Sequence, residues 1–326
     1  MSKAPPRALS SMPMMLRAAS RRHGAPSMRA YAETDPREVM ARRVRCRMAC
    51  HERIHLLCRP LSRPDLLLRD VRVGLLAGDR PLRMVMVNIP GEDVPVAQRW
   101  RAVLAQLRPH GRQAGAQPTT DEGFRRAVLL HMSARDAAGA VVISGWRKDT
   151  DGVREALLDG LNRAHLRRPC SRITLGPVTG VLASHDPRGS LLVPDYSISG
   201  ARDAMISAID EPCMPVLDAC LEMTAGVPAL VDAASKLLVA DPHADASRLT
   251  SLLTAEFDGL RQRLVVLRQR APSEWARLEA LQHHEGRPTQ DIDGRLYALG
   301  LVEVECKGAA QVTRMRAPWM AQVMAT

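Results

Sequence analysis

Aromatic side chains are scarce in this sequence: Phe, Tyr and Trp together make up 3% of its 326 residues. Its cores must be filled by Leu, Val, Ile, Met and Ala, and the stacked-base platforms of single-strand nucleic-acid binders are disfavoured. No apolar run reaches the roughly 18 residues that a membrane helix needs, so no span is expected. The N-terminus also lacks the sustained apolar stretch of a secretory signal. The seven cysteines are odd in number and scattered, which points to reduced thiols rather than a disulfide framework. Acidic residues are missing from the first 32 positions, which hold Lys3, Arg7, Arg17, Arg21, Arg22 and Arg29. Six of the eleven excess positive charges fall there, and the rest of the chain is only mildly basic. With Pro5, Pro6, Pro13 and Pro26 and no apolar periodicity, residues 1–35 read as a disordered basic tail. Such a tail binds polyanions weakly. Its Arg-rich, acid-poor composition is also that of an organellar import signal. The expected location is the bacterial cytoplasm, with import through this segment as the alternative.

Several chemical signatures are missing as well. No G-x-S-x-G elbow follows a strand, which argues against a serine hydrolase. No G-x-G-x-x-G follows one either, which argues against a dinucleotide-binding dehydrogenase. His283-His284-Glu285 is adjacent rather than spaced along one helix face, so the metalloprotease pattern is absent. Cys46, Cys50, His51, His55 and Cys58 are the densest group of soft ligands. Their spacing fits no common zinc knuckle, and a strand over 53–58 points His55 and Cys58 to opposite faces. No metal and no catalytic residue is therefore assigned. Arg167-Arg168 and Arg261, Arg263, Arg268 and Arg270 read as solvated helix faces.

What is present is an alternation. Strands are expected at 53–58, 82–89, 139–143, 171–178 and 191–193, with helices from Asp35 and over 65–76, 94–107, 121–134 and 151–165. Short apolar strands alternating with helices imply βαβ units and a parallel sheet covered on both faces. From Pro194 to about Ser273 only helices are expected: 200–209, 212–223, 228–239 and 246–270. Then follow a helix over 273–281, a helix over 290–299 closed by Gly300, a hairpin of 301–306 and 311–316, and a last helix over 318–324. That is the order of a winged helix.

This order of parts resembles the AAA-like and STAND-type P-loop ATPases, and three patches carry the resemblance. In the first, Ile54 to Leu68 has the layout of a Walker A strand, loop and helix, in which the family writes G-x-x-x-x-G-K-[ST]. Here Cys58 and Arg63 stand at the glycines, Pro64 at the lysine and Asp65 at the magnesium-ligating hydroxyl. Such a loop cradles phosphates with backbone N–H groups, and Pro64 has neither an N–H nor an ammonium to give. In the second patch, Ala140 to Ile143 ends in Ser144-Gly145, where a Walker B strand carries its two carboxylates. The third is Thr224-Ala225-Gly226-Val227-Pro228-Ala229-Leu230, similar to the T-G-G-x-P-x-L turn between lid helices, with Arg295 to Val302 and Val312 to Met320 similar to the terminal winged helix.

The resemblance implies a P-loop-ATPase-like α/β core over 36–195, a helical lid over 196–272 and a winged-helix-like domain over 273–326. It implies ATP as the ligand of an intact motif, and the substitutions disfavour ATP here. If nucleotide binds residually, the positions to hold it are Cys58, Arg59, Ser62, Arg63 and Asp65. The function expected is that of a pseudo-ATPase, an interaction or regulatory module with a protein partner. The alternative is a DNA-associated regulator that uses the tail and Arg295, Arg314 and Arg316 of the winged helix, although its recognition helix carries Asp291 and Asp293. An enzyme of another class on the same core is the third reading.

Overall fold

The computed structural model describes residues 34–77, 82–108, 117–134, 137–144, 152–178, 190–209, 213–242, 244–282, 286–308 and 310–325. Residues 1–33 of the basic tail, Gly145 of the second patch, and His283 to Glu285 lie outside these residues. Asp35 opens the first helix, α1 (Pro36–Ala49): its carboxylate accepts from the Glu38 N–H at 3.3 Å, and Pro36 fits the first turn. Then come β1 (Arg53–Cys58), α2 (Pro64–Leu76), β2 (Met84–Asn88), α3 (Val96–Leu107), α4 (Asp121–Ser133), β3 (Ala140–Ser144), α5 (Val153–Arg167), β4 (Ser171–Pro177) and β5 (Ser190–Leu192). The five strands form one parallel sheet in the order β2-β3-β4-β1-β5. The expected alternation and parallel pairing are both present.

The sheet is covered on both faces, and β3 in its interior is buried from Ala140 to Ile143. On one face Ala41, Val44 and Met48 of α1 and Leu67, Leu68 and Val71 of α2 pack on Ile54, Leu56, Val142 and Ile173. On the other, Val103 and Leu107 of α3, Phe124 and Val128 of α4 and Leu157 of α5 pack on Val87, Val141 and Ile143. Trp100 stacks on Phe124 there, with ring centroids 5.7 Å apart. Because β1 lies between β4 and β5 while its helix leads off to the β2 edge, the loop after Cys58 opens at the carboxyl end of the sheet where the strand order reverses. In open α/β sheets that crevice is the usual ligand site.

Helices fill the next stretch: α6 (Ile198–Ile206), α7 (Met214–Thr224), α8 (Pro228–Ala240), α9 (Ala246–Glu256) and α10 (Asp258–Arg270). The single helix expected over 246–270 is two. Phe257 takes φ −107° and ψ 30° between them, and its ring packs edge-on to Trp319 at 5.6 Å. The chain closes with α11 (Pro272–Leu281), β6 (Arg287–Pro288), α12 (Asp293–Ala298), β7 (Val302–Lys307), β8 (Ala310–Met315) and α13 (Pro318–Ala325), its strands ordered β6-β8-β7. The helix expected over 290–299 begins three residues late because Asp293 is a buried anchor. Its carboxylate takes a bidentate bond from Arg277 at 2.9 and 2.8 Å and the Gln290 N–H at 2.9 Å, which holds 290–292 in a turn. Side chains from α6 to α13 share one apolar cluster, with Leu217, Leu230, Leu253, Leu296 and Trp319 at its centre.

The turn between α7 and α8 holds an alanine at the first glycine position of the T-G-G-x-P-x-L pattern. Ala225 caps α7 in the left-handed region at φ 46°, and Gly226 follows at φ 76°. The Tyr196 N–H donates to Gly226 O at 3.0 Å, and the Tyr196 carbonyl occupies the space a Cβ on Gly226 would need. Replacing Ala225 with Gly should raise the free energy of unfolding by about 1 kcal/mol, since a left-handed alanine is strained. Gly226→Ala should lower it by more than about 2 kcal/mol, because φ and the close carbonyl both oppose the new methyl. Urea unfolding of the two variants checks both signs.

Candidate functional site

Cys58 ends β1, and the five residues after it reach α2 by a path that no glycine eases. Leu61 at φ 67° and Arg63 at φ 44° are both left-handed, and Arg63 is the N-cap residue of α2. Arg63 stands where the Walker A pattern has its second glycine, and it takes a glycine-like backbone conformation. The Ser62 N–H and Oγ–H both donate to the Arg59 carbonyl, at 3.2 and 2.8 Å, which closes the loop on itself.

Every carbonyl from Arg59 to Arg63 accepts from a protein donor. Pro60 O takes Arg316 Nη1 at 2.6 Å. Leu61 O takes the Ala229 N–H, at the start of α8, at 3.0 Å. Arg37 of α1 donates from Nη1 to Ser62 O at 2.8 Å and from Nη2 to Arg63 O at 2.9 Å, and reaches Pro194 O at 3.1 Å. Arg37 is 2% exposed and lies over the Tyr196 ring at 4.8 Å. Burial lowers its pKa, against the raising influence of Tyr196, Asp195 and Asp35. The loop thus presents acceptors that arginines and a helix N-terminus have filled. A phosphate cradle needs the reverse, a run of converging N–H donors. Pro60 and Pro64 have none, and that of Ser62 is engaged.

Beside the loop lies a buried charge cluster. The Asp195 carboxylate receives a bidentate bond from Arg316, at 2.8 and 2.6 Å, and a third from Arg59 at 3.2 Å. Arg59 also pairs with Glu303 and lies over the Tyr297 ring at 4.9 Å. Burial works against the Arg59 charge, but Glu303, Asp195 and Tyr297 outweigh it and hold its pKa above the ordinary value. Two arginines face two carboxylates, so the cluster is charge-balanced, as a buried one must be. Gly300, at φ 74°, lets it close: a Cβ there would meet Arg316 Nη1 at 2.9 Å and Pro60 O at 3.0 Å. The cluster ties the loop, the segment after β5 and the C-terminal hairpin together.

Between the loop and α8 is a cleft of about 390 Å³, lined by Leu61 to Asp65, Ala229, Asp232, Lys236, Glu256 and Phe257 among others. Arg63 spans its mouth. It binds Asp65 through Nε at 2.9 Å and Nη2 at 2.7 Å, and Asp232 through Nη1, while Lys236 binds Asp232 at 2.9 Å. The Arg63 bond holds Asp65 below the usual carboxylate range, and Asp232 is held there by Lys236 and Arg63 despite its burial. Cys58 sits behind the loop with its thiol pushed up to about 12 by burial, so it is no thiolate nucleophile. At the neighbouring strand ends Ser144 Oγ lies 3.4 Å from Asn88 Oδ1.

The structure therefore brings Cys58, Arg59, Ser62, Arg63 and Asp65 into one place. The three arginines named for nucleic acid do not converge. Arg295 on α12 pairs with Glu274 at 2.9 Å, Arg314 on β8 pairs with Glu305, and Arg316 is buried against Asp195. Burial removes Arg316 from any DNA-facing surface. Sequence reasoning did not place Arg37, Asp195, Glu303 or Ala229 at this site. Among the described residues no group of three or more His, Cys, Asp or Glu side chains could hold a metal ion, and no helix is long and apolar enough to cross a membrane.

No protein-family model matches the chain, and no curated protein matches it. Among solved structures it is similar to a Walker-type ATPase of Pyrococcus abyssi, with a TM-score of 0.63 at 12% identity, over 89% of this chain and 95% of that one. This likeness shows the fold: the chain shares that of a Walker-type ATPase. A STAND protein of Pyrococcus horikoshii with a tetratricopeptide repeat sensor gives 0.38 at 12% identity, over 88% of this chain and 41% of that one. The ORC2 protein of Aeropyrum pernix in its ADP form gives 0.44 at 13%, over 88% and 91%. At those lower scores the two likenesses carry no argument about this chain.

Replacing Arg37 with Ala leaves the buried Ser62 carbonyl without its donor and the Arg63 carbonyl with the Leu66 N–H alone, and should cost about 3 kcal/mol of stability. Arg37→Lys should recover less than half of that, since a single ammonium cannot bridge both carbonyls and Pro194 as the planar fork does. Denaturant midpoints of the two variants measure it.

Proposed function

We propose that this chain is an ATPase-fold protein that works by binding a partner and not by hydrolysing nucleotide. The observation that carries this reading is the occupancy of the loop: each carbonyl from Arg59 to Arg63 has a protein donor. Where a nucleotide-dependent loop would gain its order from phosphate and magnesium, this one is ordered by Arg37, Arg316 and the start of α8. The cleft electrostatics support the same reading. Asp65, Asp232 and Glu256 face Arg63 and Lys236 across it, and the charge of Arg59 is already matched by Asp195 and Glu303. That is no field for a triphosphate. Pro64 at the lysine position and Ser144 at the end of β3 supply neither an ammonium for phosphate charge nor a carboxylate for an attacking water.

Binding is the activity such a body retains. By the resemblance the partner is a protein, a related active ATPase among the candidates, and the fold serves as a scaffold. Calorimetric titration of ATP into the full-length protein, with and without magnesium, tests the reading. The expected result is no saturable heat at millimolar nucleotide and no turnover above buffer. Saturable binding that Arg63→Ala or Asp65→Ala abolishes would overturn it and restore the cleft as a nucleotide site.

A further inference from the structure

The arginines of α10 take no part in the network around the loop. This helix turns Leu260 and Leu264 into the core, with Leu267 half-buried, and leaves the rest of its length exposed. At 3.6 residues per turn, Gln262, Val265, Val266 and Gln269 form the outer ridge. Arg261 and Arg268 line one flank of that ridge, and Arg263 and Arg270 line the other. Val265 and Val266 are 49% and 47% exposed, so the ridge stands clear of the neighbouring helices. The one acid of the helix, Asp258, accepts from Gln262 at 2.7 Å. Arg268 is ordered by Trp275, whose ring it overlies at 5.6 Å. Among the described residues, Arg261, Arg263 and Arg270 have no carboxylate within ion-pair reach.

We infer that α10 is a docking helix for duplex DNA, with its ridge in the major groove and one arginine row toward each phosphate backbone. Three observations select this occupant. The two rows lie about 180° apart around the helix, so a partner resting on one face, such as an acidic helix, meets only one of them, whereas the two strands bounding a groove meet both. The helix with its side chains is about 10–12 Å wide, and the major groove of B-DNA is about 12 Å wide. The ridge carries two glutamines and no aromatic, which suits base edges in a duplex and not stacking on single strands. Two valines with no larger apolar side chain are too little for insertion into a lipid surface. Arginine is also the residue whose fork matches a phosphate. This surface is separate from Arg295, Arg314 and Arg316, and it stands whether or not the cleft takes nucleotide.

Anisotropy titration of a labelled duplex with the full-length protein over a series of salt concentrations tests the assignment. Arg261→Gln with Arg268→Gln, and Arg263→Gln with Arg270→Gln, should each lower the slope of log K against log salt by about 2, and all four together by about 4. The same four sites changed to Lys should keep most of the wild-type slope, which separates loss of charge from loss of fold. The assignment fails if one row carries the whole effect, or if the fourfold Gln variant binds as the wild type does, which would place binding in the N-terminal segment. It also fails if polyglutamate or anionic vesicles bind more tightly than duplex at equal salt and lose that binding in the fourfold variant.

Discussion

The carbonyls of residues 59–63 are the constraint on which the rest of the structure depends. A loop at the carboxyl end of a covered parallel strand is surrounded by protein, and its backbone acceptors must be satisfied there. In this chain the donors come from places far apart in sequence: Arg37 in α1, Ala229 at the start of α8 and Arg316 just after β8. Each donor belongs to a different part of the fold. Satisfying one short loop therefore fixes the first helix, the helical region and the C-terminal hairpin against the sheet at once.

The charges around the loop follow from the same demand. Arg59 and Arg316 are buried because one must leave the loop and the other must reach it, and each is paired with a carboxylate. Asp195 and Glu303 are those partners, with 16% and 26% of their side chains exposed, so the acids keep some contact with water while the bases do not. Breaking such a set by removing one partner is costly, even where the complete set adds little net stability. The left-handed backbone at Leu61 and Arg63 is tolerated for a related reason: the bonds on either side of each residue over-determine its conformation. A ligand that had to insert among these groups would first have to undo them.

The α/β core was legible in the sequence because its strands are short apolar runs and its helices amphipathic. Val141 to Ile143 and Leu56 leave little choice once both faces of the sheet are covered. The loop was legible as a place and not as a chemistry: the residues at the motif positions marked where it lies, while its partners are 22 or more positions away from it along the chain and leave no local pattern. β6 was invisible because two residues, Arg287 and Pro288, show no period. The break at Phe257 was missed because the apolar spacing runs on through it; its ring packs on Trp319 there. Arg316 was read as a surface charge because a strand end beside a turn is usually exposed. Nothing near it in sequence announces Asp195.

Side chains of the loop and of the C-terminal hairpin couple the sheet to the C-terminal region. Hydrogen exchange under mild denaturant, read by mass spectrometry on peptides from 54–68 and from 302–316, measures that coupling directly. In the nucleotide-free wild type the two segments should open together with one free energy. In Arg316→Ala the hairpin segment should open first and alone. Separate opening in the wild type, or undiminished coupling in the variant, would contradict the account.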